Sequence, residues 1–227
     1  MLIENLPREL LRIILSLLPS TTNDPFQADY SDLANALLVC KTWKTEGESP
    51  GLWKDAKLMI GSMARMRAYC EQELPKRYAM TKTMHISSSI YGMRVMAMDM
   101  LPTTWRDMMQ MLSSDESPID NLAFYPINLV DRLFLEKANY ALRTGEYDVF
   151  PIITSKLSWL KPMMWSSDSM THSILLKEIV YKLRTDKLKL EVLDLRTMEI
   201  PNSYGARGKT SMKMKLQETS VKILYQD

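Results

Sequence analysis

Few side chains in this sequence carry reactive groups at the spacings that chemistry requires. Two histidines, His85 and His172, and two cysteines, Cys40 and Cys70, stand singly along 227 residues. A thiol nucleophile needs a base held beside it, and a structural zinc needs four such ligands in paired spacings, so a Cys–His pair could form only through the fold. Gly205-Ala-Arg-Gly208-Lys209-Thr210 has the close of a phosphate-binding loop and follows a candidate strand. The glycine that such a loop places five residues before Gly208 is Ser203 here, which argues against a phosphate cradle. Between Met59 and Met111 lie 12 of the 19 methionines, including Met93, Met96, Met98 and Met100. Soft copper(I) accepts such ligands, but thioethers in this number more simply fill irregular apolar gaps in a core or an adaptable surface. Between Lys182 and Lys215, nine Lys or Arg face four acidic residues with little aromatic interleaving, which describes a solvated basic face rather than a nucleic-acid groove. The chain is therefore expected to have no catalytic residue, no cofactor and no metal site of its own.

Composition sets the frame for that expectation. At 46% hydrophobic and 25% charged residues, with a net charge of +2, the chain has the make-up of a globular protein. No apolar run approaches the roughly 20 residues that cross a bilayer. The run Ile13 to Leu18 follows Glu4 and Glu9 and precedes no small-residue cleavage site, unlike a secretory signal. Two cysteines form no disulfide framework, which suits a reducing compartment, the cytosol or the nucleus.

The elements that stand out are apolar. Leu6-Pro7 opens a helix expected to run to about Leu18, with Pro7 in the first turn, where its missing N–H leaves no broken bond. Leu10, Leu11, Ile13, Ile14, Leu15, Leu17 and Leu18 leave only Arg8, Arg12 and Ser16, with Glu9 at their edge, as a polar strip. A second helix, capped by Ser31 or Asp32, carries Leu33, Ala36, Leu37, Leu38, Val39, Cys40 and Trp43, and a third begins at Ser49-Pro50 and carries Leu52 and Trp53. Three short helices cannot enclose so much apolar surface. Each large side chain left in water forgoes roughly 1.5–3 kcal/mol of burial, so either the rest of the chain or a partner must cover these faces.

The blocks Leu6-Pro7-x-Glu9-Leu10-Leu11-x-x-Ile14-Leu15-x-x-Leu18, Leu37-Leu38-Val39-Cys40-Lys41-x-Trp43 and Pro50-x-Leu52-Trp53 resemble an F-box in order, residue type and most of the spacing. The resemblance implies docking onto the Skp adaptor subunit of a cullin-RING ubiquitin ligase. It implies a partner surface drawn from Leu6, Pro7, Leu10, Leu11, Ile14, Leu15, Leu38, Val39, Trp43, Leu52 and Trp53. One departure is the stretch Pro19 to Ser31, longer than the family usually has there. Its Pro, Ser, Thr, Asn and Asp content reads as a loop, and inserted loop length costs little.

Beyond residue 60, short candidate strands recur at Thr81-x-x-Met84-x-Ile86, Ile119-x-x-Leu122-x-Phe124, Thr154-x-x-Leu157-x-Trp159 and Leu190-x-x-Leu193-x-Leu195, with Val221 to Leu224 as a further strand. Helical patterns lie between them at Leu129 to Leu142 and Ile174 to Leu183. A β-then-α unit repeated in this way buries its apolar face by stacking on its neighbours, as in leucine-rich repeats. Only the unit at Leu190 reads cleanly as leucine-rich, and another α/β or mostly helical arrangement stays open. The alternation places His85, Ala123, Ser158 and Asp194 on an exposed face, with Met84, Ile86, Leu122, Phe124, Leu157, Trp159, Leu193 and Leu195 in the core.

The expected fold is thus α+β: a three-helix module over residues 1–60, then an irregular leucine-rich-repeat-like β/α solenoid over residues 61–227. The expected function is a non-enzymatic, substrate-recognition adaptor of a Skp-cullin-F-box ubiquitin ligase, whose carboxy-terminal part holds a target protein, with no nucleic acid and no membrane among its partners. An F-box-bearing scaffold outside ubiquitin ligation is the alternative, and a hydrolase with a hidden Cys–His pair is a third reading.

Overall fold

The computed structural model describes residues 6–87, 101–125, 132–163, 169–198 and 214–225. The Gly205 loop, Met93 to Met100 and the middle of the basic stretch lie outside them.

Helix α1 spans Arg8–Ser16, with the extended Pro7 just before it and the Pro7 carbonyl accepting the Leu11 N–H at 3.0 Å. The expected second helix is in fact two, α2 (Ser31–Ala36) and α3 (Lys41–Gly47), separated by a tight turn that ends at extended Cys40. The break has a packing cause. Leu37 enters the module's core beside Leu33 and Ala36, and α3 is redirected so that its end lies against that core. Gly47 permits the approach: a Cβ there would stand 2.2 Å from Leu37 Cδ2. The Gly47 carbonyl accepts the Trp53 indole N–H at 2.7 Å from the 3-10 turn Pro50–Trp53. Leu11, Leu15, Leu33, Ala36, Leu37, Trp53 and Ala56 complete this core.

Six parallel strands follow: β1 (Lys57–Ile60), β2 (Thr83–Ile86), β3 (Asn121–Phe124), β4 (Trp159–Pro162), β5 (Val192–Asp194) and β6 (Lys222–Leu224). Each pairs with the next in the chain, so the order across the sheet is the order in sequence. Helices α4 (Met63–Cys70), α5 (Leu101–Ser113), α6 (Arg132–Thr144) and α7 (Ser169–Arg184) connect them. Leu58, Ile60, Met84, Ile86, Leu122, Phe124, Leu160 and Leu193 point into one core, which Met66, Met108, Ala138, Ala141, Ile174 and Ile179 fill from the helices. Methionine serves here as core filling, as its flexibility suits. Just before the strands, the carbonyls of Lys54, Lys82, Asp120, Ser158 and Glu191 each accept N–H groups from the start of the next unit, which holds the stack in register.

The fourth unit sits three residues later than expected: Leu160 pairs with Leu122 and Leu193, and Ser158 precedes the strand beside Asp120. Leu157 and Leu160 are 3% and 0% exposed, so burial, which the sequence encodes, does not distinguish the two registers, whereas hydrogen bonding to β3 does. Nor is the opposite face open: Ala123 and Asp194 are buried and His85 is half-buried. The reason is the stretch between α1 and α2, which lies against that face through Asp24 and the buried Phe26 and is no free loop.

Candidate protein-interaction surfaces

The first surface belongs to the amino-terminal module. Leu10, Ile13, Ile14 and Leu17, at helical spacing on one stripe of α1, are exposed, and Leu38 and Val39 stand out from the α2–α3 turn at 83% and 59% exposure. The polar strip is not simply the water-facing side. Arg12 pairs with buried Glu46 of α3 at 2.6 Å and Arg8 approaches the same carboxylate at 3.6 Å, so these cations tie α1 to α3 while apolar side chains meet solvent. An exposed apolar stripe of this kind marks a surface that a partner would cover.

The structure divides the residues picked from sequence. Pro7, Leu10, Ile14, Leu38 and Val39 are exposed, while Leu6, Trp43 and Leu52 are half-buried. Leu11, Leu15 and Trp53 are buried in the module's own core, where they hold the surface in shape instead of lining it. Ile13 and Leu17 join the exposed stripe at 57% and 77%, and their spacing, three residues from Leu10 to Ile13 and four from Ile13 to Leu17, is the signal for them.

The second surface is the face of the sheet turned away from the core. Its rows run Lys57, Thr83, Asn121, Trp159, Val192, Lys222 and, alongside, Met59, His85, Ala123 and Lys161. Lys161 meets the buried Asp194 carboxylate at 3.4 Å, and Arg196 grips the same carboxylate through Nε at 2.9 Å and a terminal nitrogen at 2.7 Å. Burial works against the charge of Asp194, yet the Arg196 hydrogen bonds and the Lys161 charge outweigh it and hold this carboxyl below its ordinary value. Burial, with Lys57 and Lys161 nearby, pushes His85 below its ordinary value. Between the two surfaces, Trp53 stacks on Tyr30 at 5.5 Å and meets Tyr78 edge-on at 6.0 Å, and the Arg77 guanidinium lies 4.6 Å above the Trp53 ring. This aromatic joint couples the module to the sheet.

Burial first, then Asp107 and Glu71, raise the Cys70 thiol, opposite to the shift a nucleophile needs, and its Sγ–H faces the Thr104 carbonyl at 3.7 Å. No helix among the described residues is long and apolar enough to cross a membrane.

Residues 3–58 match a family model described as F-box-like. No curated protein and no solved structure matches the chain.

Proposed function

From the premise that residues 3–58 of this chain are an F-box-like domain, we propose that the protein is a substrate-recognition adaptor of a Skp-cullin-F-box ubiquitin ligase. Such domains are protein-interaction modules that generally dock onto the Skp adaptor. The observation that carries the reading is the uncovered stripe Leu10, Ile13, Ile14 and Leu17 with Leu38 and Val39, all inside the matched residues. Burying these against apolar helices of a partner supplies the driving force, and Pro7 and Trp43 border the contact.

The carboxy-terminal sheet is then the target holder. Its strands follow one another in chain order with helices between them, which supports an irregular leucine-rich-repeat-like solenoid, and such stacks offer one broad face to a protein ligand. The protein itself performs no bond chemistry in this reading: it brings a target close to the ligase, in the cytosol or the nucleus. Co-expression with the Skp adaptor should yield a stable equimolar complex in gel filtration, and Leu10→Asp with Ile14→Asp should dissolve it. A chain that elutes alone in both forms sinks the proposal.

A further inference from the structure

The stretch between α1 and α2 is anchored on the outer face of the sheet at three points. Phe26, 6% exposed, meets the Trp159 ring edge-on with centroids 6.3 Å apart, and the Lys161 ammonium lies 5.7 Å from the Phe26 centroid. The Phe26 carbonyl accepts a hydrogen bond from Lys57 Nζ at 2.9 Å. One Asp24 carboxylate oxygen takes the Arg196 guanidinium at 2.7 Å, and the other accepts the Phe26 N–H at 2.9 Å. That Asx turn presents a carboxylate and an aromatic ring together. The base of the loop is closed by paired hydrogen bonds between Ser20 and Asp29, both 2.9 Å, and the half-buried Tyr30 beyond them packs against the module's core. The segment is thus tied off from α1 and α2 at its base.

Without it, Lys161 and Arg196, which share the Asp194 carboxylate, and Lys57, which reaches the Phe26 carbonyl, would line the uncovered face beside Trp159. Among the described residues, the buried atoms Trp159 Nε1 and His85 Nε2 have no hydrogen-bond partner. Unmet buried polar atoms are costly, so a segment that supplied acceptors there would compete well with the loop.

We propose that this part of the sheet face is the docking site for an acidic, aromatic-bearing segment of a target protein, and that Thr22–Ala28 occupies it in the free chain until such a segment displaces it. The inference rests on the reading of the carboxy-terminal domain as the target holder. A tethered loop acts at an effective concentration on the order of a millimolar, so a target must bind well below that to open the site. Complementary charge would speed its arrival and make it salt-sensitive.

The test uses the full chain with Thr22–Ala28 replaced by glycine and serine at equal length, titrated with a fluorescent peptide of residues 19–30. The peptide should bind the replaced chain at least tenfold tighter than the wild type. Asp24→Ala with Phe26→Ala in the peptide, or Arg196→Glu in the chain, should abolish binding. A folded replaced chain that ignores the peptide, or takes it up equally well with Arg196→Glu, overturns the proposal. Should the replacement fail to fold, the Asp24→Ala, Phe26→Ala chain, which keeps the loop backbone, is judged by the same criteria. Hydrogen exchange separates a displaceable loop from a permanent strap: in the wild type the Phe26 and Gln27 amides must exchange well before those of β2, and equal protection overturns displacement. Skp adaptor capture by the same variants keeps the two readings apart. Capture without peptide binding refutes the docking site alone, whereas a wild type that captures no adaptor refutes the reading beneath it.

Discussion

Leu38 and Leu15 are both leucines of the amino-terminal module, and truncating each to alanine should have opposite consequences. Leu38 is 83% exposed and Leu15 is 0% exposed. Full burial of a leucine contributes roughly 1.5–3 kcal/mol, most of it lost on truncation to alanine, so Leu38→Ala should weaken adaptor binding by about 2 kcal/mol, roughly thirtyfold in Kd. In the free chain almost nothing is lost, and thermal stability should hold within about 0.5 kcal/mol. Leu15→Ala instead opens a cavity among Leu11, Leu33, Leu37 and Trp53, costing about 2–5 kcal/mol of folding stability. Calorimetric titration of the purified Skp adaptor, beside thermal melts of the free chain, reads both quantities. If Leu38→Ala bound within threefold of wild type, or if Leu15→Ala lost affinity with an unchanged melt, the division into supporting and contacting residues would be wrong.

Glu178 is fully buried in α7, where its carboxylate accepts the Val149 N–H at 2.7 Å and the Phe150 N–H at 3.1 Å and pairs with Lys182 at 3.0 Å. Glu178→Ala should cost about 3–5 kcal/mol and lower Tm by about 6–20 °C, and a shift under about 3 °C would show that water replaces the carboxylate. His85 is held below its ordinary value, so as pH falls through about 6.5 the unfolded chain takes up a proton first and stability declines. Urea midpoints at pH 7.5 and 5.5 should converge in His85→Gln, and an undiminished pH dependence there would assign the effect to other groups. For the register of the fourth strand, Leu160→Ala should cost about 2–5 kcal/mol and Ser158→Ala less than about 0.5, and a Leu160→Ala as mild as Ser158→Ala would return the strand to the earlier frame, in which residue 160 faces outward.

Much of the architecture was legible because it depends on local chemistry. Pro7 at a helix start and the spacing of Met84 with Ile86, Leu122 with Phe124 and Leu193 with Leu195 are readable within a few residues. Strand β1 was not: Lys57–Ile60 has the same apolar spacing at Leu58 and Ile60 but follows directly on the helical module, within the span 1–60 assigned to it, and it becomes a strand by pairing with β2. The split of α2 from α3 was equally hidden, because a continuous helix satisfies the apolar pattern and only the close seat of Leu37 against Gly47 rules it out.

By itself the sequence determined an F-box-like module, an apolar excess that this module cannot bury alone, and a succession of β and α segments, since each follows from residue type and short spacing. Only the tertiary structure decided which apolar residues remain in water, because Leu10 and Leu11 have the same hydrophobicity and differ solely in the side of α1 they occupy. It also decided what covers the sheet. Asp24 and Arg196 are 172 residues apart, and no local pattern couples them; their 2.7 Å contact exists because the stacked strands bring Asp194, Lys161 and Trp159 beneath a loop that a sequence reader takes for a free insertion.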